Sequence, residues 1–598
     1  MSSAEGQAVV VGDGKVPLLQ KVNPDYQWFV RADVDSFAAL FFDNFASLFG
    51  ILSAMAFTIP LIVGVDADKA QKMEEIVFER IAPGAAFAII FGNLYYAWMA
   101  GKLAGYEQRT DVTALPYGIN TPASFIMAFS VMLPLAFRHA DEEDPDEFAE
   151  KVWRGTASAT FLTGLFECSG FWIGNFIRRH TVKAALYAPI AAVGFVYLAL
   201  DPFINVGGEP IIGLVPLALA MTGFFANGGK GIYKSGATAV LIFGIGTILK
   251  WLGAGKTNPT PENMADDVED AWDTYAGENR LLPGESLRGL EDIEDFVTII
   301  FPVAIQSFIE TMENVEAAAA KGDHYNLKEA MIVDGLGSSI GAFFGSALPT
   351  TVYIGHARHK TIGARAGYSI INAVSYFILL NAGLYPVLFE VIDSVSIGVV
   401  LLFVGLIIVQ QSFEVSNSRH YPPLCIGIFC VLIDYIRLEI VEAGGSNIRL
   451  GVLNISPGGG IVASLVLTQI LCDLIDCRFD RAGIYCAIAV VLSLFGIMHG
   501  NNQEGPIDDD MLEPGELTVS TIADDNARQS VNEGWRFCIA YTMVAAICFL
   551  HWLGQRAGWF PEPIMDNGVS AHAVPVHKGE KDQAYQKTLI EEEKATRA

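Results

Sequence analysis

Apolar residues in this chain fall into long runs separated by polar loops, and that pattern limits its fold more than any other feature. A bilayer core about 30 Å thick takes about 20 apolar residues of helix. Runs of about that length cover 36–63, 82–103, 117–137, 156–176, 184–204, 210–226 and 236–253. After a polar stretch of about 40 residues, well beyond ordinary loop length, come 296–320, 329–346, 349–357, 364–390, 395–413, 421–441 and 459–476. Two more, 483–499 and 536–554, follow. The pieces 210–226 and 349–357 are short for a full crossing. So many separate runs predict an all-α polytopic membrane protein rather than one large buried helical core.

Charge supports this. Only 17% of residues are charged, against about 25% in soluble domains, yet the net charge is −28, from 66 acidic and 38 basic side chains. A chain both apolar and acidic must segregate the two properties. That excludes a plain globular enzyme, a disordered chain and a collagen-like fibre. With no basic excess to neutralise phosphates, no nucleic-acid partner is expected. The eight cysteines form no CxxC pair, so neither a zinc site nor a disulfide framework is expected. No GxxxxGK[ST], HExxH or GxSxG occurs. Cofactor, metal and catalytic residues are therefore all expected to be none.

Lys and Arg mark cytoplasmic loops. They recur in GKLAGYEQR, RRHTVK, NGGKGIYK, KGDHYNLK, HARHKTIGAR, NSRH and CRFDR, whereas the alternate loops, among them HADEEDPDEFAEK, are acidic. This places the N-terminus in the cytoplasm, in a multi-pass protein of the plasma membrane. The expected organisation is a flexible cytoplasmic tail (1–35), a first seven-span repeat (36–253), an acidic extracellular loop (254–295) and a second seven-span repeat (296–476). Additional membrane helices with an acidic loop (477–558) and a cytoplasmic tail (559–598) complete it. No apolar signal region precedes the first span, which is read as an uncleaved anchor.

An internal echo indicates where function lies. ALPYGINT (114–121) and ALPTTVY (347–353) each join a Pro to polar followers and open a membrane element, the third and the tenth. Halves with an odd number of spans are inverted relative to one another, which brings the two Pro-broken segments together at mid-membrane. Unwound backbone at that depth is tolerated only beside protein or a water-filled cavity. Pro116 and Pro349 are expected in first helical turns, with Tyr117, Asn120, Thr350, Thr351 and Tyr353 available to a solute. Ionisable groups inside spans are costly and usually functional. Asp43 and Asn44 lie in the first span; Glu310, Glu313, Asn314 and Glu316 in the eighth. Three carboxylates together in hydrocarbon must be protonated, paired or near water, as a proton or Na⁺ site requires. Asp334 either holds helices together through its small-residue neighbours or meets substrate. His356 is a proton-sensitive ligand or a member of the basic loop with Arg358, His359 and Lys360.

FFDNFASLFG (41–50), ENVEAAAAKGD (313–323), VDGLGSSIGAFFGSALPTTVYIGHA (333–357) and GARAGYS (363–369) together resemble the nucleobase–cation symporter family of xanthine, uracil and ascorbate permeases, nearest its AzgA-like purine permease branch and xanthine/uracil-permease-like relatives. The resemblance spans roughly 35–500. It implies a 7+7 inverted-repeat transporter with a core domain (spans 1–4 and 8–11), a gate domain (spans 5–7 and 12–14) and substrate between the short broken spans 3 and 10. The family's span-eight carboxylate falls on Glu310, Glu313 or Glu316. The chain departs from the family at Asp43-Asn44, where a Gln-His pair is usual. It departs again at Gly355, where purine permeases carry an acid, and in its extra C-terminal runs.

The expected function is H⁺- or Na⁺-coupled uptake of nucleobases by alternating access. The alternative is an inorganic-anion or organic-acid transporter on the same architecture. A channel or receptor and a membrane-embedded enzyme are the remaining classes, and the sequence shows neither a continuous polar stripe nor a nucleophile–base pair. The expected partners are a small-molecule solute, H⁺ or Na⁺ and the lipid bilayer; a homodimer is left open.

Overall fold

A computed structural model of the chain describes residues 16–564, except 18, 226–234, 255–260, 278–279, 293–296, 354, 443–451, 453–454, 456–459, 495–497 and 500–533. The acidic 501–535 stretch and the 559–598 tail therefore fall wholly or mostly outside the described residues.

The apolar runs are helices. In chain order these are α1 (Ala32–Ser53, continuing through a π turn to Val63), α2 (Ala67–Ile76), α3 (Ala82–Glu107), a strand β1 (Tyr117–Ile119) and α4 (Thr121–Ile126, continuing through a π turn to Arg138). Then come α5 (Pro145–His180), α6 (Lys183–Val193, continuing to Gly208), α7 (Pro210–Ala220), α8 (Ser235–Trp251) and α9 (Pro261–Tyr275). The second half holds α10 (Val297–Ala320), α11 (Leu327–Phe343), a strand β2 (Thr350–Val352), α12 (His356–Ile362), α13 (Gly367–Asn381), α14 (Leu384–Val391), α15 (Ser394–Val415), α16 (Tyr421–Glu442) and α17 (Gly460–Ile475). A closing pair, α18 (Phe479–Leu494) and α19 (Gly534–Arg556), follows.

Taking helices joined end to end as one run, and the bent pair α13–α14 as one, the described residues give seven runs up to Trp251 and seven from Val297 to Ile475, and the third of each opens with a three-residue strand. Among the described residues five helices are long and apolar enough to cross a membrane singly, and α13 with α14, bent by 89° at their junction, would count as a sixth if the pair is one broken span. The chain is an integral multi-pass membrane protein of the 7+7 kind. The π turns that interrupt α1 and the α4 run each insert one extra residue per turn, which re-aims the side chains beyond them.

Contacts divide the described chain into two units. One takes in Asn175–Ala192 and Ile408 onward; the other takes in Gly14–Gly174 and Val193–Ile407. In the first, α16 packs on α17 and α18 on α19 around Cys430, Val466, Ile470, Cys486 and Tyr541. In the second, α3 is the central element and packs on α11 and α13. This larger unit carries both strands.

Two sequence expectations are corrected here. Pro116 and Pro349 are not in first helical turns; each directly precedes a strand, and Pro122 takes the helix-opening position in α4. Backbone pairing between the strands uses the groups that a helix start would leave free. The segment before α1, expected as flexible, is pinned where it is described: Asn23 Nδ2 donates to the Arg109 carbonyl at 3.0 Å and Tyr26 Oη to the Val112 carbonyl at 2.9 Å.

Candidate functional site

β1 and β2 pair antiparallel, Tyr117 opposite Val352, Gly118 opposite Thr351 and Ile119 opposite Thr350. The pairing continues past both ends, where Asn120 N donates to the Pro349 carbonyl at 2.8 Å and Tyr353 N to the Pro116 carbonyl at 2.7 Å. The two prolines therefore stand at opposite ends of one short ribbon. Every ribbon residue is buried. The ribbon solves the problem that interrupted helices create in a membrane, because each break supplies the backbone partners the other lacks.

Side chains lock the ribbon to the helices. Tyr117 reaches between α3 and α11, where Gly92 and Gly337 leave room: a Cβ at either would lie 2.0 Å from the tyrosine side chain. Its hydroxyl donates to Thr350 Oγ1 at 2.6 Å. Asn314 Nδ2 donates to the Val352 carbonyl at 2.7 Å. Asn120 caps α4 by accepting from Ala123 N at 3.0 Å, and its Nδ2 reaches Ser307 Oγ at 3.3 Å. Tyr117, Thr350, Asn314 and Asn120 thus hold the ribbon in place.

Asp334 is the anchor beneath it. One carboxylate oxygen accepts from the Tyr96 hydroxyl. The other accepts from Thr311 Oγ1 at 2.6 Å, Val352 N at 3.0 Å and Thr351 Oγ1 at 3.1 Å. Of the two roles the sequence left open, the structure shows Asp334 joining helices and ribbon. Glu167, on α5, reaches the same place. Its Oε1 lies 3.4 Å from Thr311 Oγ1, and its other oxygen, though buried, has no hydrogen-bond partner. Asp334 and Glu310 are its charged neighbours. Glu167 approaches because α5 and α11 cross at glycines: a Cβ on Gly164 would sit 2.5 Å from the Gly335 carbonyl oxygen, and one on Gly335 2.4 Å from that of Gly164. Sequence reasoning missed Glu167, although it is the one acidic or basic residue in the 156–176 run.

Hydroxyls also gather beside the ribbon. Thr121 Oγ1 donates to Ser47 Oγ at 2.9 Å. The Tyr353 hydroxyl lies beside both without hydrogen-bond geometry to either, with Asp43 and Glu310 in electrostatic reach. Glu310 is buried. Asn44 is buried nearby, donating to the Leu40 carbonyl at 3.1 Å, while its Oδ1 occupies the space that a Cβ on Gly118 would need. Ser47 and Thr121 were not singled out from sequence. Glu313 and Glu316 lie on α10, and their side chains fall outside the described residues.

His356 belongs elsewhere. Its Nε2 lies 3.0 Å from Asp323 and 3.1 Å from the Thr113 carbonyl. Asp323 also accepts from Arg109, from Lys360 Nζ at 2.8 Å and from Thr113 N at 3.1 Å. Burial raises the Asp323 carboxyl, but hydrogen bonds and charge from His356 and Lys360 outweigh it and hold it down at about 2. This ionic cluster ties the segment that leads into β1 to the α10–α11 loop and to α12, which follows β2. Among the described residues, no group of three His, Cys, Asp or Glu side chains could hold a metal ion.

No family model and no curated protein matches the chain. Among solved structures it is similar to the transmembrane domain of a cyanobacterium bicarbonate transporter, BicA, at 14% identity over 69% of this chain and 98% of that one, with a TM-score of 0.42. It is also similar to the murine Solute Carrier 26 family member A9 anion transporter in its inward-facing state, at 13% identity over 75% of this chain and 69% of that one, with a TM-score of 0.43. Membership of the nucleobase–cation symporter family is not established by these matches.

Proposed function

We propose that the protein is a secondary transporter that moves a small polar solute together with a proton. The observation that carries this reading is the buried antiparallel ribbon, with the Ser47, Thr121 and Tyr353 hydroxyls and carboxylates beside it. Polar groups at this depth are expensive and are kept where a solute or ion uses them. The buried Tyr353 hydroxyl lies beside Ser47 and Thr121 without good hydrogen-bond geometry to either, and a bound solute would complete it. Binding that favours one orientation of the site over the other then drives alternating access.

For the solute, a small inorganic anion or organic acid comes first. Hydroxyls are donors that suit an oxyanion, and a proton taken up on the neighbouring carboxylates offsets its charge. A nucleobase is the second reading, favoured by Glu310, whose carboxylate suits a ring N–H. Proteoliposome uptake of bicarbonate, sulfate, small carboxylates, purines and uracil, with and without a pH gradient, tests this. Tyr353→Phe and Thr121→Val are expected to weaken anion uptake by about tenfold, the effect of about 1.4 kcal/mol in hydrogen bonding. Glu310→Gln should weaken nucleobase uptake more than anion uptake. Failure of every solute to move in wild type would refute the reading.

A further inference from the structure

Thr311 stands between two buried acids on different helices. A hydroxyl has one proton to give and two lone pairs to offer. Thr311 Oγ1 also lies 3.2 Å from the Ser307 carbonyl and from Thr351 Oγ1, but its 2.6 Å contact with Asp334 is the shortest and takes that proton. The 3.4 Å contact with Glu167 then places two acceptor oxygens face to face, unless Glu167 carries a hydrogen of its own. The second Glu167 oxygen is buried with no hydrogen-bond partner, and Glu167 is fully buried. Among the described residues no Lys, Arg or His forms an ion pair with it. The groups that face it are Asp334 from α11, Glu310 from α10, Tyr96 from α3, Tyr117 from β1 and the neighbouring Cys168 thiol. All are acids or neutral donors, and none compensates a negative charge.

We propose that Glu167 is the proton-binding residue of this protein, holding one proton in a Glu167–Thr311–Asp334 chain that fastens α5 to α10 and α11. In the loaded state the Glu167 O–H donates to Thr311 Oγ1, and Thr311 donates to Asp334. When the proton leaves, Thr311 has one hydrogen for two carboxylates, and Glu167 faces Asp334 and Glu310 as a like charge. The grip on α5 weakens, so proton occupancy and helix position become linked. Transport of that proton rests on the function proposed above; its binding at Glu167 does not.

Two measurements on the full-length protein separate the claims. The first is infrared pH titration of the purified chain in lipid nanodiscs. It should show a protonated-carboxyl band at neutral pH that Glu167→Gln removes, Asp334→Asn retains and Thr311→Val shifts in frequency. A band unchanged in Glu167→Gln, or no band in wild type, overturns the proposal, and a Na⁺-dependent signal in its place assigns the site to that ion instead. The second is solute accumulation in proteoliposomes. One pH unit sustains about tenfold accumulation of a solute carried with one proton, and this should fall to about onefold in Glu167→Gln. If the band is lost but tenfold accumulation persists, Glu167 binds a proton that is not the coupling one. If wild type moves no solute, the transport reading fails while the infrared result still decides proton binding. Should Glu167→Gln fail to fold, Glu167→Asp must show a displaced band.

Discussion

Two buried aspartates in the larger unit are built in opposite ways. Asp323 sits beside His356 and between Arg109 and Lys360, so its negative charge is matched by cations from two other segments. Asp334 sits among hydroxyls, a backbone amide and a second acid, Glu167. The first arrangement stays ionised at any physiological pH and works as a fixed fastening. The second is satisfied by neutral donors alone, so the number of protons in it can change without breaking an ion pair. Equally buried carboxylates thus serve as anchor or as exchangeable site according to whether cations surround them.

The largest expected effect that sharpens this contrast is the loss of Asp323. Asp323→Asn leaves Arg109 and Lys360 facing a neutral group and should destabilise the protein by about 3–5 kcal/mol in denaturant unfolding. Asp334→Asn keeps an acceptor for the hydroxyls and should cost about 1–3 kcal/mol; equal losses would erase the distinction. The pH profile comes next. The Asp323 carboxyl is held below its unfolded value, so its contribution is fully present above about pH 4 and is lost as pH falls toward its folded value of about 2. Thermal unfolding should reveal a loss of about 2 kcal/mol over that window, absent in Asp323→Asn. Gly335→Ala should cost about 1–3 kcal/mol by forcing α5 and α11 apart, and it should move the Glu167 infrared band; an unmoved band would detach that residue from the helix crossing. The smallest effect is that of Asn120→Ala, about 1 kcal/mol from the lost cap, read as faster amide exchange confined to the start of α4.

Much of this was legible in the chain. Most of the apolar runs fall within a few residues of the helices because hydropathy records burial in lipid directly; the exceptions are 156–176, whose helix starts at Pro145, and 349–357, which holds a strand. The echo at 114–121 and 347–353 located both breaks, because Pro and polar residues inside apolar runs have few other uses. The form of the breaks was not legible: three-residue strands carry no periodic signal, and their pairing depends on contacts across 233 positions. Glu167 was hidden for a similar reason. Its meaning comes from Gly164 meeting Gly335, and a glycine in one helix does not announce its counterpart in another. Ser47 and Thr121 are ordinary helix hydroxyls until the ribbon sets Tyr353 beside them. His356 could be read two ways because its partner, Asp323, lies in a separate loop.

The ribbon also dictates an order of assembly. Its first strand is synthesised more than 200 residues before the second, and until then its amides and carbonyls have no mate in an environment without water. A nascent chain that has threaded only its first seven spans therefore cannot close this region, however apolar its helices. Biogenesis must shelter an unfinished interior, at the translocon or by a chaperone, until Thr350–Val352 arrive, and truncations ending before them should be cleared by quality control rather than persist as half-transporters.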